Sequence, residues 1–289
     1  MFLIRPQTLI GKLEFPCAPN EPPESEYAEV RSAYGTTPHA EPQWFDYPIP
    51  TLSENASEIG AKVVSELLSR CEISDPEALV DCRSATMLDG PAPTYRLAAG
   101  CSLRKATCWS LSGVGGVEVA EALIQVRGLG VHTAVVSAVQ TVRFPDTRVI
   151  PAGYPLGDAV AATLASLTRP LHGRSWRIRA CLLRQLGPEE CINPQHIRSL
   201  LTCACAIEGV SERDVRWRVT QHLSDHFKDC VARAFPKSTR ELRSRTPSSV
   251  NFGCADTLVT LTMSADTEGL GALVMAGRFG AFGIVLLDD

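Results

Sequence analysis

The chain has 289 residues, a formal net charge of −4, 45% hydrophobic residues and 21% charged residues. This composition is typical of a soluble globular protein, with enough chain for one large domain or two small ones. The acidic balance argues against a general binder of nucleic acid or of anionic membranes.

The 11 cysteines are odd in number and scattered, and no two of them form a CxxC pair. This usage favours reduced thiols in a cytoplasmic protein over a disulfide scaffold, and the paired spacing of a zinc site is missing. The first residues lack the apolar core of a signal peptide, and no stretch reaches the roughly 18 apolar residues of a membrane-spanning helix. We therefore expect a cytoplasmic protein.

The first half of the chain is predicted to alternate strands and helices around an irregular segment over residues 16–51. Asn55 and Glu58 have capping-box spacing, and the apolar residues that follow recur at helical intervals. The β-branched run over 132–140 is typical of a buried strand. In chain order we predict a strand over 2–15, a helix from Asn55, strands over 78–85 and 103–109, a helix over 114–126 and a strand over 132–140.

The second half repeats this alternation. We predict a strand in WRIRACLL, helices over 193–208 and 221–235 with the strand VRWRV between them, and two final strands around a glycine-rich turn. A unit of strand, glycine turn, helix and strand occurs around 104–139 and again around 248–277. Two such βαβ-containing halves, residues 1–170 and 171–289, predict a layered α/β fold in which the turns of the two repeats approach each other.

Three motifs add a family resemblance. They are SLSGVGGVEVA at 110–120, FPDTR followed by GDAVAA at 157–162, and VNFGCADTL at 250–258 with AGRFGAFG at 276–283. In this order they resemble the thiolase superfamily, within it the β-ketoacyl-ACP synthase III branch. The resemblance implies an αβαβα fold and an enzyme that takes an acyl group from a thioester through a Cys, His and Asn site.

The resemblance places Ser110 at the position of the family's nucleophilic cysteine. Cys108 and Ser112, two residues to either side, are alternative nucleophiles. A helix dipole does not ionise serine, so Ser110 requires a general base, and its acyl-enzyme would be an oxygen ester. This fits simple acyl transfer better than decarboxylative condensation, and some starter-unit acyltransferases of polyketide pathways share the replacement. Both serines also fit as N-cap residues of the following helix.

The family histidine corresponds to the stretch VTQHLSDHF. One alignment places Gln221 there, and a one-residue slip places His222 there as the candidate base; a surface histidine at a helix start is the alternative. Asn251 matches the family asparagine and would orient the thioester carbonyl, or else serve only as a turn residue. His222 and His226 have the spacing of a metal pair, but no third ligand is evident, so we expect no metal.

A basic segment follows the predicted helix over 221–235. Arg233, Lys237, Arg240, Arg243 and Arg245 lie within it. By resemblance to the family, this surface would dock an acidic acyl carrier protein or the phosphates of CoA. A solvated helix face is the alternative interpretation.

Two functional hypotheses remain. The first is a synthase III-like acyltransferase that moves an acyl group from acyl-CoA or acyl carrier protein through Ser110, with no further cofactor, in polyketide, fatty-acid-like or other secondary metabolism. The second is a catalytically inactive thiolase-fold subunit of a heterodimeric condensing enzyme. In an enzyme, the Ser110 hydroxyl and a nitrogen of His222 should lie within hydrogen-bond reach. Either protein is expected to be a homodimer or a heterodimer with another thiolase-fold chain.

Overall fold

The structure, a computed structural model, describes residues 1–14, 49–53, 55–84, 93–113, 115–141, 154, 156–169, 173–187, 190–242, 250–264, 267–277 and 280–289. The strands within these ranges are β1 (Phe2–Ile4), β2 (Gln7–Ile10), β3 (Lys12–Glu14), β4 (Ile49–Thr51), β5 (Ala78–Ser84), β6 (Thr107–Gly113), β7 (Thr133–Gln140), β8 (Ala159–Ser166), β9 (Ser175–Gln185), β10 (Trp217–Thr220), β11 (Arg240–Leu242), β12 (Gly271–Ala276) and β13 (Ala281–Asp288).

The α-helices are α1 (Ala56–Arg70), α2 (Pro93–Gly100), α3 (Val117–Gly128), α4 (Pro194–Glu208), α5 (Asp225–Ala234) and α6 (Asp256–Met263). Two short 3₁₀ helices cover Glu212–Asp214 and Gly253–Ala255. None of the helices in the described ranges is long and apolar enough to cross a membrane.

Strand β1 joins two wings of one sheet, because it pairs antiparallel with β8 on one side and with β9 on the other. The N-terminal wing has the order β6-β5-β7-β8, in which β5 pairs parallel with both β6 and β7. The C-terminal wing has the order β9-β13-β12-β10-β11. Strands β6 and β11 are therefore the two edges of the sheet, and β3 and β4 form a separate pair.

The helices lie in three layers, outside each wing and between the wings. Along β7, Ala134, Val136 and Ala138 belong to the central core, whereas Val135 and Val139 belong to the outer core of the N-terminal wing. The central core also contains residues of α3 and α6, one outer core those of α1 and α2, and the other those of α4 and α5. The layer order α/β/α/β/α confirms the predicted layered α/β fold.

Several predicted elements are confirmed with shifted ends. Asn55 caps α1, and its side chain accepts a hydrogen bond from the Ser57 N–H. The strand predicted over 2–15 is broken into β1, β2 and β3, because Pro6 has no N–H to donate and Gly11 packs against the backbone of Thr51. The irregular segment over 16–51 lies outside the described residues except at its end, where β4 forms.

The largest shift occurs where chemistry was expected. The sequence predicts a strand over 103–109 and a helix from residue 114, but β6 covers Thr107–Gly113 and α3 begins at Val117. Residues 107–113 each lie opposite a residue of β5, and this parallel pairing extends the strand to the first glycine. Ser110 therefore lies in the middle of a strand and not at the mouth of a helix.

Candidate functional site

The two halves of the chain meet where the glycine turn before α3 approaches the end of β12. The Gly116 N–H donates to the Ala276 carbonyl at 2.9 Å. Gly115 has φ +154°, and a Cβ there would collide with the backbone of Ala276 and Gly277. Only glycine allows two backbones to approach this closely. This main-chain contact joins the glycine turn of the first repeat to the strand end that closes the second repeat. The turn of the second repeat, at Gly253, accepts a hydrogen bond from Gln221.

Gln221 contacts the glycine turn before α3. It follows β10, is fully buried, and accepts from the Ala276 N–H at 2.9 Å while its Nε2 donates to the Gly253 carbonyl at 3.4 Å. A Cβ on Gly116 would lie 3.0 Å from the Gln221 Oε1 atom. An amide side chain does not titrate, so Gln221 is a structural contact here and cannot act as a base.

His222 faces a carboxylate instead. Its backbone N–H donates to the Asp256 Oδ1 atom at 3.0 Å, and its Nδ1 lies 2.9 Å from the same oxygen. The other oxygen, Oδ2, accepts from the Phe252 N–H at 3.0 Å. Asp256 is fully buried and His222 is 6% exposed. This arrangement assigns the Nδ1 proton to the bond with Asp256 and leaves Nε2 as the basic nitrogen.

Asn251 lies beside this pair but turns its amide to the main chain. Its Oδ1 atom accepts from the Gly253 N–H at 2.8 Å, and its backbone forms an isolated parallel bridge with Leu156. The side chain is 2% exposed. It therefore holds the turn that leads into the 3₁₀ helix Gly253–Ala255 and α6. The strand predicted at the start of the unit over 248–277 falls on residues 248–250, of which the structure describes Val250, outside any strand.

Ser110 lies on another face of the fold. In β6, Trp109 and Leu111 pack against the central core, so the alternating residues Cys108, Ser110 and Ser112 face the side of the sheet that α2 covers. The Ser110 Oγ forms its hydrogen bond with the Thr94 Oγ1 atom at the start of α2. Its hydroxyl is directed away from α3, and the partner of His222 is Asp256, not Ser110.

The side chains around Ser110 form a buried polar cluster. Thr94 also lies 3.5 Å from Asp81, and Asp81 forms an ion pair with Arg83 at 2.5 Å between Oδ2 and Nε. Arg83 in turn donates to the Ser57 hydroxyl at 3.1 Å. The neighbouring alternative nucleophile, Cys108, has a pKa raised by burial, so its thiol is protonated at neutral pH.

Solved structures of similar shape now define the fold. A 3-oxoacyl-(acyl carrier protein) synthase III from Pseudomonas aeruginosa PAO1 matches with a TM-score of 0.72 and 14% sequence identity, over 99% of this chain and 98% of that one. A tetronic acid condensing enzyme matches over 100% of both chains, with a TM-score of 0.70 and 14% identity. The chain has a thiolase-like fold. The 1,3,6,8-tetrahydroxynaphthalene synthase of Streptomyces coelicolor A3(2), a type III polyketide synthase, also matches, with a TM-score of 0.66 and 12% identity over 100% of this chain and 99% of that one.

At these identities the likeness defines the thiolase-like fold alone. No protein-family model and no curated protein matches the sequence. The segment that resembles the family's nucleophile motif is divided in this structure between β6 and α3, and the FPDTR loop lies outside the described residues. Of the three predicted site residues, His222 and Asn251 lie near each other at the start of α6, and Ser110 lies on β6.

The basic segment is only partly described. Arg233 on α5, Lys237 and Arg240 at the start of β11 are exposed, whereas Arg243 and Arg245 lie outside the described residues. Arg233 also forms an exposed pair with Asp229, at 3.4 Å between Nη1 and Oδ2. The function of this surface as a docking patch remains a prediction.

The histidine pair of the sequence is not a pair on one helix. α5 begins at Asp225, after the N-cap Ser224, so His222 precedes the helix while His226 lies within it. The Nε2 atom of His226 lies 3.5 Å from the Cys230 Sγ. Across the described ranges, no three His, Cys, Asp or Glu side chains come together as metal ligands.

The sequence analysis did not predict two side chains of the site, Asp256 and Glu118. Asp256 follows Asn251 by five residues, within the quoted motif VNFGCAD, and a carboxylate at a helix start was the signal that could have found it. Glu118, in the first turn of α3, is 5% exposed and turns back over Gly113, where a Cβ would collide with its carboxylate. Glu118 and Gln221 thus both contact the glycine turn before α3, Glu118 at Gly113 and Gln221 at Gly116.

Proposed function

We propose that this chain is a non-catalytic thiolase-fold subunit that binds acyl thioesters and pairs with an active condensing enzyme. One observation carries the proposal. The turn before α3 brings glycine backbone, Gln221 and Glu118 together, and the hydroxyl of Ser110 points to the opposite face of the sheet. A nucleophilic site needs an attacking atom, a base and oxyanion donors around one point in space. In support of the proposal, the hydrogen-bond partner of the Ser110 hydroxyl is Thr94 and that of the His222 ring is Asp256.

The substrate class follows from the fold and not from the site. The structures of similar shape are described as synthases and condensing enzymes, and one of them names an acyl carrier protein. We therefore propose acyl-CoA or acyl carrier protein as the ligand, and the exposed Arg233, Lys237 and Arg240, together with Arg243, as the docking surface. The proposed pairing with a second subunit is supported by strand β6. It is an edge strand, and β5 is its single partner in the described sheet.

A second candidate is the acyltransferase that uses Ser110 as nucleophile, His222 as base and Asn251 to orient the carbonyl. The buried pair of His222 and Asp256 favours it. A histidine whose Nδ1 is held by a buried carboxylate is oriented as in a catalytic triad, with Nε2 available as a base. For this function, the Ser110 hydroxyl would have to leave Thr94 and reach His222 when substrate binds.

Mass spectrometry of the intact protein separates the two candidates. The chain is incubated with acetyl-, malonyl- and longer acyl-CoAs, beside the Ser110→Ala and Cys108→Ala variants, while calorimetry measures binding of the same thioesters. The non-catalytic subunit should bind a thioester without any gain in mass.

A gain of one acyl group that is lost in Ser110→Ala would establish the acyltransferase. A gain that survives there but is lost in Cys108→Ala would make Cys108 the nucleophile. Neither binding nor a gain in mass with any thioester would contradict both candidates.

A further inference from the structure

A groove of about 420 Å³ lies at the end of α6 remote from Asp256. The link between β1 and β2, the end of α1, the start of β9 and Thr262 of α6 line it. Its size is that of a small-molecule site. Because Asp256 and Thr262 lie at opposite ends of the same helix, the groove is separate from the site around His222.

Three arginines line this groove, Arg5, Arg70 and Arg174. They come from three different parts of the chain and meet through the backbone of Arg5. Its N–H donates to the Arg174 carbonyl at 2.8 Å, and its carbonyl accepts from the Arg70 Nη2. Such main-chain bonds hold the arginines beside one another in spite of their mutual repulsion.

Hydrogen bonds also fix the side chains. The Arg70 Nη1 donates to the Gln7 Oε1 atom at 3.0 Å, and the Arg5 Nη2 donates to the Thr262 carbonyl at 2.7 Å. Arg174 lies over the Trp176 ring, with its Cζ 5.6 Å from the ring centroid. Arginine side chains that are already oriented lose less conformational entropy when they bind a ligand.

Among the described residues that line the groove, the charged side chains are all basic. No carboxylate is among its lining residues, and none of the ion pairs of the described residues includes Arg5 or Arg70. Glu66 nearby accepts from the Gln7 Nε2 at 3.0 Å. Burial raises the pKa of the Cys71 thiol, so this lining group is neutral and does not repel an anion.

Capping of helix carbonyls explains only part of these contacts. The bond from Arg5 to Thr262 satisfies a carbonyl at the end of α6, and Arg70 lies in the last turn of α1, where a cation is favourable. A guanidinium has five N–H donors, and Arg5 uses one of them in this bond. Capping gives no reason for a third arginine at the same groove.

We propose that this groove binds a phosphate or diphosphate group. Guanidinium groups match phosphate oxygens in charge and in geometry, since each offers two parallel N–H donors. The inference is independent of the acyl-thioester function proposed above.

Calorimetric titration of the full chain with inorganic pyrophosphate tests the inference. We expect saturable binding with a Kd at or below about 1 mM, weakened about tenfold or more in Arg5→Ala and in Arg70→Ala. Arg70→Lys should retain part of the affinity, because lysine keeps the positive charge but lacks the parallel N–H donors of the guanidinium group. Arg104→Ala, an exposed arginine outside the groove, is the matched control and should bind as the wild type does.

Thermal unfolding without ligand shows whether each variant is folded. ADP in parallel distinguishes the source of the phosphate: tighter binding than pyrophosphate assigns the groove to a nucleoside diphosphate, and equal or weaker binding assigns it to the inorganic ion. If pyrophosphate does not saturate the wild type, or binds folded Arg5→Ala and Arg70→Ala as it binds the wild type, the proposal is wrong. The arginines then act only as caps.

Discussion

The two helices between the wings begin in different chemical environments. Helix α3 begins after Gly116, an N-cap without a side-chain hydrogen bond, and its first turn packs against Gln221 and the backbone of β12. Helix α6 begins at Asp256, whose carboxylate accepts from two backbone N–H groups and contacts the ring of His222. The start of α3 is therefore a close contact between backbones, whereas the start of α6 is a group of buried polar side chains.

The close backbone packing and the His222–Asp256 pair therefore lie at the starts of two different helices. In this chain both helix starts lie where the two halves of the chain meet, and each carries the positive end of a helix dipole. In this chain the glycines of the first turn bring the backbones together, while the titratable pair lies in the second. If this difference is real, the contact between the glycine turn and β12 should resist opening. The hydrogen bonds of Asp256 at the start of α6 should contribute strongly to stability.

Cysteine labelling should give the largest effect. The Cys254 Sγ lies 3.3 Å from the carbonyl oxygens of both Cys82 and Val139, and burial raises the pKa of Cys82 and of Cys254 well above the ordinary value of 9.0. If the junction opens only on global unfolding, iodoacetamide should modify these two thiols at least about a thousandfold more slowly than an exposed thiol.

The exposed Cys191 and Cys203 serve as internal references in the same experiment. Peptide mass spectrometry over time reports each site separately. Labelling of Cys254 at a rate near that of Cys203 in the native protein would mean that the two turns separate readily. The start of α3 would then not be closely packed against β12.

Removal of the carboxylate at the start of α6 comes next. Asp256→Ala leaves the His222 and Phe252 N–H groups and the His222 ring without their buried acceptor. The free energy of unfolding should fall by about 3–5 kcal/mol, because buried polar groups that lose their partner keep their desolvation cost. Urea unfolding followed by circular dichroism measures this loss.

Asp229→Ala is the matched control, since Asp229 forms an exposed ion pair with Arg233. It should change the free energy of unfolding by less than about 1 kcal/mol. Equal effects of the two substitutions would show that the bonds around Asp256 contribute no more than a surface pair does.

The glycine turn gives a somewhat smaller effect. Gly115→Ala places a Cβ against the backbone of Ala276 at a φ that side chains rarely adopt. We expect a loss of about 2–4 kcal/mol in urea unfolding, from backbone strain and from separation of the two turns. Gly116→Ala should cost less, because its Cβ meets the side-chain atoms Gln221 Oε1 at 3.0 Å and Met275 Cβ at 3.2 Å, not backbone, and its φ of −107° suits alanine. A reversed order would mean that the backbone contact is loose.

Much of the fold follows from the sequence, because periodicity reflects burial. The strand over 132–140 and the helix after Asn55 were predicted from an apolar run and a cap, and both form with nearly those bounds. The repeat of strand, turn and helix predicted that the turns of the two repeats approach each other, and the structure places the first of them against the end of β12. These patterns are local consequences of burial, so they can be read without the partner elements.

The site could be predicted only in part, because its geometry depends on strand pairing. The sequence suggested a turn at Ser110, but register with β5 extends β6 through this residue and turns its side chain toward Thr94. Gln221 and His222 are neighbours, yet one faces the α3 turn and the other Asp256. Which of two adjacent side chains faces a site is set by the tertiary structure, not by the motif.

The smallest effect is expected at the opposite end of α3. A Cβ on Gly128 would meet no atom within 4 Å, and the residue is helical. Gly128→Ala should therefore raise the free energy of unfolding by about 0.5 kcal/mol, because alanine loses less backbone entropy in a helix than glycine does. The same substitution then has opposite signs at Gly115 and Gly128. Destabilisation by Gly128→Ala as well would mean that alanine is unfavourable where no close approach exists, and the approach to β12 would then not explain the effect at Gly115.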